Sequence, residues 1–248
     1  MFGKKSDKKE EIYDDFELEE QVVPKNLIGK IQFYIENNRR GVIYISAGII
    51  LVTIIFFISK SIISNNIEEN AKKATLYLSR IQPYYSISDY QKALYGDSSK
   101  TVRGEPMIGL VGIVDEYGSS EAGKLAALYA GNCLLGLNKA AEANEYFDKA
   151  CGSDSKTIQA GAYAGIGDCY EKQKEFKEAA KNYEKAASLI NTETSQSRYS
   201  LYTAICYEKA GDKEKAGQLY KEIVAKNENS EFAGYAKLGL LRLGMVIE

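Results

Sequence analysis

Three patterns of apolar and polar positions follow one another along the 248-residue chain. Residues 1–20, MFGKKSDKKEEIYDDFELEE, set a lysine cluster before an acidic one. Such a stretch holds too little apolar surface to offset the entropy of ordering it, which predicts a disordered charged tail over 1–23. Pro24 suits the first turn of a helix. Leu27, Ile31, Tyr34 and Ile35 then recur at helical spacing, predicting an amphipathic juxtamembrane helix over 24–40. Residues 41–58, GVIYISAGIILVTIIFFI, carry no charge at all. Beyond residue 65 a helical pattern with a polar face runs to the C-terminus.

A buried core helix, a cleavable signal peptide or a membrane span each use such a charge-free run. As a helix, 41–59 measures roughly 28 Å, close to the hydrocarbon thickness of a bilayer. It is apolar on every side and its neighbours are a charged tail and a polar linker, not a domain able to bury it. Forty residues precede it and no small-residue cleavage site follows, unlike a signal peptide. The reading is an uncleaved transmembrane helix over 41–63, with Tyr34 and Tyr44 near the interfaces. Lys25, Lys30, Arg39 and Arg40 lie on its N-terminal side, against Lys60 at the edge and then Lys72, Lys73 and Arg80 on the other. The positive-inside rule places the N-terminus in the cytoplasm and the C-terminal domain outside it.

The helical region repeats itself. The segments 130–150, 166–186 and 203–223 each carry a small residue (Gly131, Gly167, Ala204), a cysteine two residues on, then Leu134, Tyr170 or Tyr207. A turn follows, then Ala143, Ala179 or Ala216, and four residues later Phe147, Tyr183 or Tyr220. The units are 36 and 37 residues apart. The pattern resembles the tetratricopeptide repeat, a helix–turn–helix with small residues where its helices cross. Gly131, Gly167, Tyr170, Ala179, Tyr183, Tyr207, Ala216 and Tyr220 take its structural positions.

The resemblance implies an all-α fold: a single transmembrane helix, then an α-solenoid of three to four helix pairs plus a capping helix. Three repeats are expected over 124–230, a degenerate first unit over 67–123 interrupted by the polar insertion 95–106, and a capping helix over 231–248. That last helix is apolar over much of its circumference, so it suits capping and also contact with a partner. The resemblance further implies a partner-binding groove lined by the first helix of each repeat. Carried over, its positions are Leu125, Leu128, Asn132 and Leu135, then Ala164, Asp168, Glu171 and Lys172, then Arg198, Leu201, Ile205, Glu208 and Lys209. They do not reproduce the carboxylate clamp of chaperone-binding relatives.

Composition narrows the function. Histidine is absent and net charge is −2. Histidine-based triads and His-ligated zinc are therefore excluded, and no global basic field exists to draw nucleic acid. Cys133, Cys169 and Cys206 hold one position in successive units, too far apart for disulfides if stacked as packed helices. They read as buried thiols. GAYAGIGD (161–168) lacks the lysine–serine pair of a phosphate loop. Neither cofactor nor metal nor catalytic residue is implied. The layout is similar to YfgM-like proteins, bacterial inner-membrane ancillary subunits of the SecYEG translocon with a periplasmic repeat domain. That resemblance implies a non-enzymatic scaffold held in the bilayer by 41–63, meeting a translocon, polypeptide clients or chaperones. A structural scaffold for another envelope complex is the alternative, and an enzyme the third reading.

Overall fold

The computed structural model describes residues 26–102, 104–226 and 228–245. The tail expected over 1–23 and the helix start at Pro24 lie outside them. The chain divides into two units, Met1–Ile62 and Ile63–Glu248.

In the first unit, helix α1 (Leu27–Asn37) starts at Asn26, whose side chain accepts from the Gly29 N–H at 3.1 Å. This satisfies one of the orphan donors of the first turn. Helix α2 (Arg39–Ser86) carries the apolar run, and its large side chains from Ile43 to Ile58 are all exposed. The run is long and apolar enough to cross a membrane. Its two hydroxyls return to the helix: Ser46 donates to the Ile43 carbonyl at 3.0 Å and Thr53 to that of Ile50 at 2.7 Å. Polar groups satisfied inside the helix are what a lipid surrounding requires. The helix does not stop at 63. Between Gly48 and Pro83 the sequence has neither glycine nor proline, so the polar stretch SNN at 64–66 lacks anything that breaks a helix.

The second unit is an array of helices. After the last turns of α2 come α3 (Tyr90–Tyr95), the strands β1 (Asp97–Val102) and β2 (Glu105–Met107), and α4 (Leu110–Tyr117). Three helix pairs follow: α5 (Glu121–Gly136) with α6 (Ala140–Cys151), α7 (Lys156–Lys172) with α8 (Phe176–Leu189), and α9 (Glu193–Lys209) with α10 (Lys213–Lys226). Helix α11 (Glu231–Arg242) closes the array, and from α4 onward each helix packs on the next.

One backbone device recurs through the whole array. Ser88, Asn138, Lys174, Gly211 and Gly244 all take left-handed conformations, φ 61°, 60°, 64°, 82° and 71°. The next residue's N–H closes the turn each time: Asp89 to Tyr84, Lys139 to Leu134, Glu175 to Tyr170, Asp212 to Tyr207 and Met245 to Leu240, at 2.8–2.9 Å. This is the closure of a Schellman motif, which caps the orphan carbonyls of the preceding helix. It fixes a common register, so the end of α2 is the first helix of the first unit and α11 the first helix of a fifth. Three of the five positions carry a side chain where glycine costs least. Lys174→Gly is therefore expected to stabilise the protein by about 1 kcal/mol, read as a higher urea midpoint with unchanged slope.

The same register explains the insertion. Ala93 and Ala143 lie 50 residues apart, where later equivalents are 36 and 37 apart. The excess of fourteen is residues 96–109, a hairpin spliced between α3 and α4, so the all-α array carries one short antiparallel pair. Its base is pinched by two glycines. A Cβ on Gly96 would lie 2.0 Å from the Met107 carbonyl oxygen, and one on Gly109 2.4 Å from the Gly96 nitrogen.

Small residues and aromatics fill the interior. Phe147, Tyr183 and Tyr220 are among the largest fully buried side chains, and the repeat-position residues Gly131, Gly167, Ala179 and Ala216 are buried with them. All four cysteines are free; burial pushes the thiols of Cys133, Cys169 and Cys206 up to about 12.

Candidate partner-binding face

The thirteen groove positions fall on α5, α7 and α9, and the structure gives them unequal roles. Leu201 is buried in the core and offers nothing to a partner. The reason is local: Leu201 packs in the cluster that holds Ala204, Phe232 and Ala236, where α9 meets α11. Leu125, Leu128, Leu135, Ala164 and Ile205 are half-buried. Asn132 is half-buried too and donates to the Tyr85 hydroxyl at 3.1 Å, while the Tyr85 ring stacks on Tyr129 at 4.5 Å. Asp168, Lys172, Arg198 and Lys209 are exposed. Lys172 reaches Asn138 Oδ1 at 3.5 Å, and the Arg198 guanidinium lies 5.9 Å from the Phe232 ring centre.

Four of these residues build a ladder between units. The buried Tyr183 hydroxyl donates to Asp168, with Glu171 Oε2 at 3.3 Å, and Lys209 of the following unit pairs with Glu171. One unit on, the Tyr220 hydroxyl donates to Glu208 at 2.6 Å, and Arg242 of α11 grips Glu208 with two bonds of 2.9 Å. Both tyrosines are held neutral far beyond their ordinary range, chiefly by burial. The Arg242 hydrogen bond, ahead of the Tyr220 bond, holds Glu208 below the usual carboxylate range. The first repeat solves the same junction without charge, setting Leu135 where Glu171 and Glu208 stand and Phe147 where the tyrosines stand. A buried hydroxyl demands an acceptor, and the acceptor demands a cation; remove the hydroxyl and neither is needed.

Glu208→Leu alone is expected to cost about 1–3 kcal/mol, because it strands the Tyr220 hydroxyl. Adding Tyr220→Phe copies the Leu135–Phe147 solution and should recover at least half of that loss, read as coupling in a double-mutant cycle. The pair also sets an acid response. Since the folded carboxyl titrates below its unfolded value, its contribution is complete above about pH 4.5 and fades as pH falls through the folded value. Glu208→Gln should flatten that part of the stability profile.

What remains open to a partner on this face is an apolar strip on α5 and the exposed charges Lys172 and Arg198. The ladder itself is structural. Arg242 and Tyr85, which complete these contacts, lie outside the groove positions carried over from the sequence. The repeat register was their signal, because Arg242 holds in α11 the place of Lys209 in α9.

A tetratricopeptide-repeat family model matches residues 199–230. The stretch covers most of α9, all of α10 and the turn into α11, the unit built on Ala204, Tyr207, Ala216 and Tyr220. This stretch is of tetratricopeptide-repeat type, and the units around it share its turn geometry and packing positions. No curated protein matches the chain. Repeats of this type serve as protein–protein interaction scaffolds.

Proposed function

We propose that this protein is a non-enzymatic scaffold anchored in a bacterial inner membrane by the apolar run of α2, displaying its repeat domain on the periplasmic side. The observation that carries the reading is the combination of a fully exposed apolar run with a helix array of repeat type. A span of this kind adds only location, and an array of this kind adds only a binding surface. The cation distribution around the run supports the orientation, and the absence of histidine supports a role other than catalysis. Buried, weakly acidic thiols suit a domain in an oxidising compartment, since the thiolate is the reactive form. Within this reading the protein works beside the Sec translocon, engaging emerging polypeptides or their chaperones.

Affinity purification of the full chain in mild detergent, followed by mass spectrometry, tests the partner. Recovery of SecY, SecE or SecG is expected, and their absence beside components of another envelope machine favours an assembly scaffold there. A reporter fused to the C-terminus tests orientation: activity of a cytosol-only reporter reverses the compartment.

A further inference from the structure

The first unit of the array exposes a face that the next two units bury. Leu76, Arg80 and Pro83 of α2 hold the positions of Ala126, Ala130 and Cys133 in α5, and of Ala162, Ile166 and Cys169 in α7. Those six are buried, on helices that each pack on the one before. Among the described residues of this unit no helix pair precedes the first, and Arg80 and Pro83 are exposed. In place of a packed neighbour there is a cavity of about 730 Å³, walled by α2 and roofed by the hairpin.

Its lining has three kinds of group. Leu76, Pro83 and Ile87 make an apolar wall. Arg80 and Lys100 add two cations, and neither is in an ion pair within 4.0 Å of a carboxylate among the described residues. The nearby carboxylate, Asp97, is already committed: it accepts from the Ser99 and Tyr84 hydroxyls, each at 2.5 Å, and these bonds lower its pKa to about 2. Lys100 instead sits 5.2 Å from the Tyr84 ring centre. The third group is backbone. Pro83 has no N–H to give the Ser79 carbonyl one turn below it, so a helical acceptor is left without its usual donor where Ser79 lines the cavity.

We propose that this cavity binds a short extended peptide of a partner protein in which a carboxylate stands beside an apolar side chain. The carboxylate meets Arg80 and Lys100, the apolar side chain lies on Leu76, Pro83 and Ile87, and a peptide N–H serves the Ser79 carbonyl. A phosphodiester matches the cations but has no donor of its own for that carbonyl, whereas a peptide brings an N–H beside every side chain and an apolar side chain for the wall, which favours a peptide over a lipid. The volume falls in the range of ligand pockets, enough for a few residues. The site is separate from the α5–α7–α9 face, and it rests on the reading of this domain as a protein-binding scaffold.

The test uses the full chain in zwitterionic nanodiscs and three fluorescein-labelled peptides, Leu-Glu-Val-Glu-Leu and its Gln and Lys counterparts, followed by anisotropy. The Glu peptide should bind at least tenfold tighter than the Gln peptide at low salt, with the margin shrinking as salt rises. The double variant Arg80→Glu/Lys100→Glu, both exposed side chains, should reverse the order in favour of the Lys peptide. A circular-dichroism melt matching wild type confirms that it folds, and Arg80→Gln alone should fall between. Undiminished binding of the Glu peptide by the double variant overturns the proposal, as does failure of all three peptides to bind. Displacement of bound Glu peptide by dihexanoyl-phosphatidylglycerol as readily as by unlabelled peptide assigns the cavity to a headgroup and also overturns it. If the double variant still recovers its partners by affinity purification, only the cavity fails; a wild-type chain that recovers none refutes the scaffold itself.

Discussion

Replacing Phe147 by alanine is expected to remove about 3–5 kcal/mol of stability. The ring is fully buried and lies between two helices of different units. On one side a Cβ at Gly131 of α5 would come within 2.6 Å of it, and on the other a Cβ at Gly165 of α7 within 2.4 Å. The slot is thus walled by backbone on both sides. Backbone of two packed helices cannot collapse into the space that truncation leaves, which puts the cost toward the upper end of the range. Chemical unfolding of the full chain in detergent reads the effect, and a loss under about 1 kcal/mol would refute this account of the slot. The mirror experiment is Gly165→Ala. Alanine favours a helix by about 1 kcal/mol over glycine, yet here overpacking against the ring costs about 1–3 kcal/mol, so the net change should be destabilising.

The slot also shows which parts of the architecture can be read from the chain. Small residues every 36 or 37 positions, followed by alanine and an aromatic, mark the helix crossings because close approach admits no larger side chain there. That reasoning reaches α5 to α10. It reaches the first unit only as a degenerate one, since fourteen inserted residues move Ala93 away from its partners and the hairpin they form has no strong strand pattern of its own. The pinch of Gly96 against Gly109 is a tertiary contact, visible only once the two ends of the insertion meet. The end of α2 was obscured for the opposite reason. Polar residues at 64–66 suggest a linker, but polarity alone does not end a helix when no glycine or proline is present.

The candidate face was legible as a set of positions and not as a set of roles. Glu171, Glu208 and Lys209 sit where a groove residue sits, and their chemistry is spent between units. The clue lay in comparing repeats with one another: where the second helix offers phenylalanine the first offers leucine, and where it offers tyrosine the first offers glutamate. Leu201 is lost to the core because α11 packs across α9, which depends on a helix some thirty residues later.

Two arginines in the apolar run, Ile50→Arg with Ile54→Arg, are expected to release the chain from the membrane. Twelve residues of 41–58 are Val, Ile, Leu or Phe. At about 0.3–0.6 kcal/mol each, taken at the helix centre, they favour insertion by about 4–7 kcal/mol together. Each arginine near the centre costs about 2.5–3.5 kcal/mol, so one leaves a margin and two remove it. Residues 50 and 54 share a helix face, so both charges would press on the same side and find no opposite charge along the run to pair with. Wild type and Ile50→Arg should stay in the pellet after alkaline carbonate extraction, as should Ile50→Ala/Ile54→Ala. The double arginine variant should move to the supernatant. If it stays in the pellet with the wild type, the run does not hold the chain by insertion, and the repeat domain must reach the membrane through a partner instead.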